Sequence, residues 1–172
     1  MSKEIFFLPH NSKKLLIRRA LDSDVPALRI LLNSAYKELS DKGWNFTASY
    51  QDDQETLQHI QSRRVFVVFE EKELIGTVSL RDENWFTNLH TMYIGKLAVH
   101  TKLKKSGIGT SLMKFAEEIA SYDGYHGIQL DTAKPAEHLV KWYQNLGYKI
   151  IGDTQFEGKT YESWIFEKKT ST

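Results

Sequence analysis

The segment from Leu97 to Thr110 constrains the fold more than any other part of this sequence. A short apolar run is followed by a basic loop, and two glycines one residue apart then open an amphipathic run. Apolar residues recur there at helical spacing, which predicts a helix over residues 107–122. The apolar stripe of this helix comprises Ile108, Leu112, Phe115, Ala116 and Ile119. A strand that passes through a tight loop into a helix is typical of layered α/β folds.

The remaining elements follow from periodicity and turn residues. Strands are predicted over residues 14–19, 65–69, 74–80, 91–99, 127–131, 148–151 and 160–166. Further helices are predicted to begin near Asp22 and Pro135, because capping residues or a proline precede apolar positions at helical spacing. A polar helix is predicted over residues 52–62. The order βααβββαβαββ indicates a mixed α/β fold. With 172 residues and no linker or repeat, residues 1–172 are predicted to form one domain.

Composition excludes several classes of protein. The chain has no cysteine, so disulfides, thiolate metal sites and a cysteine nucleophile are excluded. No apolar run is long enough for a bilayer, and the amino terminus does not resemble a signal peptide, so a cytoplasmic location with no membrane partner is expected. The six histidines lack metal-ligand spacing, and no metal is expected. A net charge of +1 argues against nucleic acid, although Lys102, Lys104 and Lys105 would support that hypothesis if binding proved steeply salt-dependent.

The loop before the predicted helix suits an anion. The first turn of a helix offers unpaired N–H groups at the positive end of its dipole, and glycines allow a phosphate to approach the backbone. The alternative is that the loop binds nothing: Gly107 and Gly109 would only make a tight turn between strand and helix, and the neighbouring lysines would only face solvent. Two nucleotide motifs are excluded: a dinucleotide fingerprint needs glycine where Leu112 stands, and a P-loop needs Gly-Lys-Ser/Thr where Gly109 is followed by Thr110.

These residues resemble a known family. The run from Lys104 to Gly109 is similar to the coenzyme A pyrophosphate loop of the GCN5-related N-acetyltransferases, whose pattern is Gln/Arg-x-x-Gly-x-Gly/Ala, and it departs only where lysine opens the motif. Leu97-Ala98-Val99 resembles the end of the family's preceding strand, and Trp142 to Tyr148 resembles its Tyr-x-x-x-Gly-Phe signature. The resemblance covers residues 74–151 by motif and nearly the whole chain by element order.

The resemblance implies a mostly antiparallel central sheet flanked by helices and acetyl-CoA as the co-substrate. By family position, one set of residues is expected to bind that cofactor. These are Leu97, Ala98, Val99, Lys104, Lys105, Ser106, Gly107, Ile108, Gly109 and Thr110. The family often has an asparagine where this chain has Ala136, so Thr132 or Lys134 is left to supply that hydrogen bond.

The resemblance further implies direct transfer of an acetyl group to a primary amine of a small molecule or peptide, in a ternary complex. The backbone N–H of Val99 is the family's usual oxyanion donor. Tyr143 occupies the family's tyrosine position and is the candidate acid for the departing thiolate, unless it only fills the core. The base is less determined: Asp131 is preferred, Glu83 and His90 are alternatives, and a water chain would serve equally.

The acceptor site is expected between the first two helices and the final hairpin, where aromatic residues favour a cation or an aromatic ring. The candidates are Tyr36, Trp44, Phe46, Trp85 and Tyr161, each of which could instead be packing. The acceptor, the length of the acyl group and the oligomeric state stay open, and a homodimer is compatible with the fold. The alternative function is a non-catalytic acyl-CoA-binding regulatory module.

Overall fold

The structure, a computed structural model, describes residues 5–170 and has eight strands and four helices within them. The strands are β1 (Ile5–His10), β2 (Lys13–Arg19), β3 (Arg64–Glu70), β4 (Glu73–Asp82), β5 (Thr91–Val99), β6 (Gly127–Ala133), β7 (Lys149–Thr154) and β8 (Ser163–Lys169). The helices are α1 (Val25–Asp41), α2 (Asp53–Ser62), α3 (Ile108–Tyr122) and α4 (Glu137–Asn145). The expected mixed α/β architecture is confirmed.

All eight strands form one sheet in the order β1-β2-β3-β4-β5-β6-β8-β7. Every neighbouring pair is antiparallel except β5 and β6, which run parallel. The sheet is therefore mostly antiparallel, as the family resemblance implied. Its one parallel pair lies in the middle, and the helix α3 connects those two strands as a parallel crossover requires.

Helices cover both faces of the sheet, and β3 shows why its sequence is apolar throughout. Successive strand side chains alternate between faces. Accordingly Phe66 and Val68 pack in a core with α3, whereas Val65 and Val67 pack in a second core with α1 and α2. All four side chains are fully buried. The two cores hold the α1–α2 layer and the α3–α4 layer on opposite sides of one sheet.

The strand β1 was not predicted, because Pro9 interrupts a short run that has little apolar alternation. Proline is tolerated in an edge strand, where one side of the backbone has no partner strand. Only Leu8 of this strand is buried, although Phe6 also packs edge-on to Phe115 with ring centroids 5.4 Å apart. A tight turn at Asn11 and Ser12, both at positive φ, joins β1 to β2.

The carboxyl-terminal strands lie later than predicted. The last strand was predicted over residues 160–166 but spans Ser163–Lys169, and its neighbour spans Lys149–Thr154 rather than 148–151. Residues 160–162, predicted to begin the last strand, belong instead to the β7–β8 loop. In that loop the Gln155 side-chain amide donates to the carbonyls of Lys159 and Tyr161 at 2.8 and 3.0 Å. No helix within residues 5–170 is both long enough and apolar enough to cross a membrane.

Candidate active site

A gap opens in the middle of the sheet where β5 and β6 separate. The two parallel strands pair only at their beginnings, from Thr91 opposite Gly127 to Tyr93 opposite Gln129. Beyond that point β5 continues along β4 while β6 continues along β8. The carboxyl ends of the two strands therefore have unpaired edges that face each other, which leaves room for an extended ligand.

A β-bulge in β5 accompanies this separation. Ser79 pairs with Gly95 and Thr77 with Ala98, so Lys96 and Leu97 together lie opposite the single residue Val78. Lys96 has a positive φ of 45°. An extra residue on one strand increases its local twist and bends it. The bulge thus turns the end of β5 away from β6. The sequence did not predict it, because the residue with positive φ is a lysine and not a glycine.

The edge of β5 that faces the gap presents backbone groups. The His100 amide donates to the Ile75 carbonyl on β4 at 2.8 Å. Because strand amides point alternately to the two sides, the Val99 amide points to the other side, toward the gap. The side chain of Ala98 is buried beneath α1. Leu97 uses its carbonyl to accept a hydrogen bond from the Tyr36 hydroxyl at 3.0 Å.

The loop after β5 delivers the amino terminus of α3 to the same end of the gap. Lys105 and Gly107 both have positive φ, at 62° and 92°. The Ser111 amide already donates to the Gly107 carbonyl at 3.0 Å, whereas the amides of Gly109 and Thr110 lie in the first turn and have no intrahelical acceptor. These two amides fit an anion such as a phosphate.

The other predicted residues of this loop have different surroundings. The Lys104 ammonium forms an ion pair with Glu38 on α1 at 2.9 Å, which lowers the pKa of that carboxyl below its usual value. Ile108 is buried in the α3 core, so only its backbone can face a ligand. Its amide lies 3.5 Å from the Ser106 hydroxyl. Lys105 is exposed and remains available to a negatively charged group.

Thr132 and Lys134, the residues predicted to replace the family asparagine, differ in the partners of their side chains. Ala136 is fully buried against Tyr161. The Lys134 ammonium is held by Asp153 and Glu162, and it lies 4.2 Å from the Trp164 ring. Thr132 is buried on β6. Because Lys134 is engaged by two carboxylates, Thr132 is the better placed of the two.

Asp131 extends from the β6 side of the gap and is linked to β5. The Tyr93 hydroxyl donates a hydrogen bond to its carboxylate. The Arg81 guanidinium lies over the Tyr93 ring, 4.5 Å from its centroid, and forms an ion pair with Glu83. Burial raises the pKa of Asp131 to about 6. A carboxyl that is ionised at neutral pH but has a raised pKa is suited to accept a proton.

Tyr143 lies on α4 beside the core of the sheet. Its ring contacts those of Trp142 and Phe166, with centroids 4.9 and 5.6 Å away. Its hydroxyl forms no hydrogen bond with any residue in the range 5–170. Burial and then the negative charge of Asp131 raise the pKa of Tyr143. The phenol therefore keeps its proton at neutral pH and has that proton free to donate.

The predicted aromatic wall is partly assembled. Phe46 contacts Tyr36 and stacks on Tyr161, with ring centroids 5.5 and 4.6 Å apart. Trp44 packs in the same small cluster. Burial raises the pKa of Tyr36, and the negative charge of Asp131 adds to the effect. Trp85 is not part of the cluster.

Trp85 and the two alternative bases have other partners. Trp85 packs edge-on to Phe156 at 5.4 Å, and its amide donates to the Gln129 side chain at 2.6 Å. Glu83 is engaged by Arg81. His90 stacks on Tyr125 with centroids 4.2 Å apart, at the opposite end of β5 from the gap. Asp131 is consequently the candidate base that shares the gap with Tyr143.

Several residues of this site were not singled out from the sequence: Arg63, Arg81, Tyr93, Lys96 and Lys159. Their side chains converge from α2, β4, β5 and the β7–β8 loop, so no local motif joins them. One sequence signal was present. Lys96 interrupts an otherwise apolar strand, and a charged residue there is rarely buried without a role. Within residues 5–170 no group of acidic or histidine side chains is arranged to hold a metal ion.

Comparison with known proteins places this chain in a family. The family model described as "Acetyltransferase (GNAT) family" matches residues 27–148. The chain therefore belongs to the acetyltransferase (GNAT) family. The family resemblance is confirmed, and with it the class of acetyl-CoA-dependent N-acetyltransferase.

Individual relatives agree with that class. The chain is 28% identical over 141 residues to S-(2-succino)cysteine N-acetyltransferase of Bacillus subtilis (strain 168), covering 79% of this chain and 85% of the relative. It is 30% identical over 102 residues to Probable N-acetyltransferase 14 of Xenopus tropicalis, covering 59% of this chain and 48% of the relative. The chain thus spans about half the length of that second relative.

A solved structure agrees in fold. The yncA protein of Salmonella typhimurium, solved with its cofactor acetyl-CoA, superposes with a TM-score of 0.71 at 16% identity. The superposition covers 93% of this chain and 96% of that one. At this identity the likeness shows the fold alone.

Proposed function

We propose that this protein transfers an acetyl group from acetyl-CoA to a primary amine of a small molecule or peptide by direct attack in a ternary complex. The single observation that carries the proposal is the gap between β5 and β6. Free helix amides lie at one end of it, and Asp131 and Tyr143 border it. One opening would thus combine an anion-binding end with a proton acceptor and a proton donor.

The residues around the gap fit the cofactor. The amides of Gly109 and Thr110 would hold its phosphates, and exposed Lys105 would add positive charge. The Val99 amide points into the gap, where it would bind the carbonyl oxygen of the acetyl group. Acetyl-CoA supplies a thioester, whose acetyl group is activated toward a nitrogen nucleophile. The narrow gap between two strand edges would keep that thioester extended.

Two side chains then handle protons. An alkyl amine in water is mostly protonated near pH 7, because its pKa is ~10.4. Asp131 would accept that proton, directly or through one water, and Tyr93 holds its carboxylate in place. The amine nitrogen would then bond to the acetyl carbon, and Tyr143 would donate its proton to the sulfur as the carbon–sulfur bond breaks. The second proton that the nitrogen loses would restore the phenol. The Val99 amide would stabilise the negative charge that develops on the carbonyl oxygen.

A thiol-release assay tests the proposal under favourable conditions. The chain has no cysteine, so a thiol reagent detects only coenzyme A set free. We expect thiol release that requires both acetyl-CoA and an amine from a broad panel. Cofactor binding without turnover of any amine would instead indicate the non-catalytic acyl-CoA-binding module. A cytoplasmic location, a homodimer and the lack of a metal remain predictions.

The Tyr143→Phe variant tests the acid. We expect turnover to fall by about 100-fold, with cofactor affinity unchanged within about twofold, because the ring packing with Phe166 is retained. Tyr122→Phe is the matched control, since Tyr122 on α3 is 90% exposed and makes no contact with the gap. Equal turnover by wild type and Tyr143→Phe would exclude Tyr143 as the acid.

A further inference from the structure

A group of positively charged side chains borders the gap on the α1–α2 side, and the proposed chemistry does not use it. We call it the basic cluster: Arg63, Arg81, Lys96 and Lys159. Its members come from the end of α2, from β4, from the β5 bulge and from the β7–β8 loop. None belongs to the loop that precedes α3. The basic cluster is therefore separate from the residues assigned to the phosphates.

Lys96 is held in place by uncharged groups. Its ammonium donates to the Gln51 side-chain oxygen at 2.6 Å. Gln51 is itself fully buried and donates its amide nitrogen to the Thr56 hydroxyl at 2.7 Å, so its oxygen must face the lysine. A charged group that leaves water needs charged or hydrogen-bonding partners. A single amide oxygen leaves two of the three ammonium hydrogens for another acceptor.

Lys159 resembles Lys96 in this respect. Its ammonium donates to the Asn45 carbonyl at 2.9 Å and to the Thr47 hydroxyl at 2.7 Å, both in the connection between α1 and α2. Neither partner carries a charge. Among residues 5–170, no carboxylate forms an ion pair with Lys96 or Lys159. The two lysines thus approach the same connection from different elements, and neither ammonium has a carboxylate within ion-pair distance among these residues.

The two arginines add to this excess of positive charge. The Arg63 guanidinium makes no ion pair within the described part of the chain. Arg81 is paired with Glu83, yet its buried Nε has no hydrogen-bond partner among residues 5–170. Burial lowers the pKa of Lys96 to about 8; the negative charge of Glu55 opposes this, and the positive charges of Arg63, Lys159 and Arg81 add to the lowering. The two lysines meet at adjoining groups, because the backbone amide of Gln51, the partner of Lys96, donates at 3.0 Å to the carbonyl of Thr47, a partner of Lys159.

The nearby carboxylates already have other partners. Glu83 is bound by Arg81, and Asp131 accepts from Tyr93. Glu55, whose charge acts on Lys96, accepts the Asp52 amide at 2.9 Å as part of the α2 cap. Crowded like charges repel one another, and that repulsion is relieved when an anion binds. The four cations of the basic cluster therefore face three carboxylates, so one positive charge is left for a bound anion to balance.

We propose that the acceptor is a primary amine that also carries a carboxylate, and that Lys96 and Lys159, supported by Arg63, bind this carboxylate while the amine faces Asp131. The proposal rests on the acetyltransferase function proposed above and names its substrate class. Asp131 lies within the field of the same cluster, since Arg81 and Lys159 both act to lower the pKa that burial raises. A cation site beside a carboxylate base would bind an amino acid by both ends, its carboxylate at the cations and its amine at the base.

Matched acceptor pairs test this proposal. Each pair is an amino acid and its α-amide, run for alanine, methionine and phenylalanine in the thiol-release assay. Amides have the less basic amine, so chemistry without recognition favours them. We expect wild type to prefer the acid by at least about tenfold in kcat/KM. Preference for the amides would overturn the carboxylate proposal and leave the acetyltransferase function standing.

Variants assign the preference to the cluster. Lys96→Met keeps the apolar stem and removes the charge, and we expect it to lower kcat/KM for the acids by about tenfold or more while changing that for the amides less than about threefold. Lys159→Met should act in the same direction, which keeps the test valid if Lys96→Met does not fold. Lys72→Met, at the exposed β3–β4 turn, is the matched control. An unchanged acid preference in both cluster variants would refute the assignment.

A binding measurement separates this proposal from the function on which it rests. With the protein saturated with coenzyme A, succinate should raise the melting temperature more than succinamide at matched ionic strength, and Lys96→Met should abolish the difference. If this held but no amine were acetylated, the anion site would stand and the acetyltransferase function would fall. Equal effects of succinate and succinamide would count against the basic cluster as a carboxylate site.

Discussion

The Asp131→Asn variant gives the most direct test of the proton acceptor. Asparagine has almost the same shape, and its side-chain oxygen can still accept from Tyr93, so the gap should keep its geometry. It cannot accept a proton from the amine. We therefore expect kcat/KM near neutral pH to fall by about 100-fold, which is the usual contribution of a positioned base.

The pH dependence adds a quantitative signature. Burial raises the pKa of Asp131 to about 6, so about nine-tenths of the carboxyl is ionised at pH 7 but only about one-tenth at pH 5. The activity of wild type should rise with pH through this range. Deprotonation of the amine affects wild type and variant equally, and it cancels in their ratio. The ratio of wild type to Asp131→Asn should therefore rise about tenfold from pH 5 to pH 7.

The measurement is thiol release at saturating acetyl-CoA across that pH range, with one amine that supports turnover. Asp82→Asn is the control, because that side chain at the end of β4 is 71% exposed. Thermal unfolding gives a second readout. Since the folded pKa is raised, folding favours the protonated carboxyl, and wild type should lose stability relative to Asp131→Asn as pH rises from about 4 to 6. A ratio that stays constant with pH would refute Asp131 as the base and favour a water chain.

Three further predictions concern the loop, the cluster and the fold. Gly107→Ala should lower the free energy of unfolding in urea by about 1–2 kcal/mol, because the φ of Gly107 is 92°. Gly109→Ala should stay within about 0.5 kcal/mol of wild type, because its Cβ would meet Trp142 at an ordinary 3.5 Å. Equal losses in the two variants would contradict this. Affinity for succinate should fall as pH rises through about 8, where Lys96 loses its charge, and a flat calorimetric titration series would exclude Lys96. Arg18→Met should cost about 2 kcal/mol in urea unfolding at pH 7, because it leaves the buried carboxylate of Asp24 without its two guanidinium hydrogen bonds. Burial acts to raise the pKa of Asp24, but these bonds hold it below its usual value. The cost should therefore shrink as the pH falls through the lowered pKa of Asp24, and a pH-independent cost would argue against the pair.

Local sequence signals predicted the part of the site that the backbone forms. The glycines at 107 and 109 and the apolar stripe of α3 lie within one short segment, so the loop and the helix start follow from neighbouring residues. The same holds for α2, where Asp52 and Glu55 form the capping box at its start. Tyr143 and Asp131 were singled out by family position and by strand-end position. The structure places both beside the gap, and their catalytic roles remain predictions.

The sequence was least informative where distant elements meet. The strand β1 is defined by its pairing with β2 and by contacts of Phe6, and its own pattern is too weak to predict it. Trp85 was predicted to line the acceptor site because it is aromatic, with packing as the alternative. It packs on Phe156, and the Gln129 side chain holds its backbone in that position. Residue type indicates that an aromatic ring will be packed, but not against which partner.

The sequence by itself determined the order of the elements, the amide-rich start of α3 and membership of the acetyltransferase family. The first two depend on periodicity, capping and glycine spacing, which act between residues a few positions apart, whereas family membership rests on the likeness of the sequence to known acetyltransferases. Only the tertiary structure decided that β5 bulges at Lys96 and parts from β6, and that cations from α2, β4, β5 and the β7–β8 loop share one side of the opening. Such convergence depends on strand register and packing across the whole sheet, because charges far apart in sequence meet only after the chain has folded.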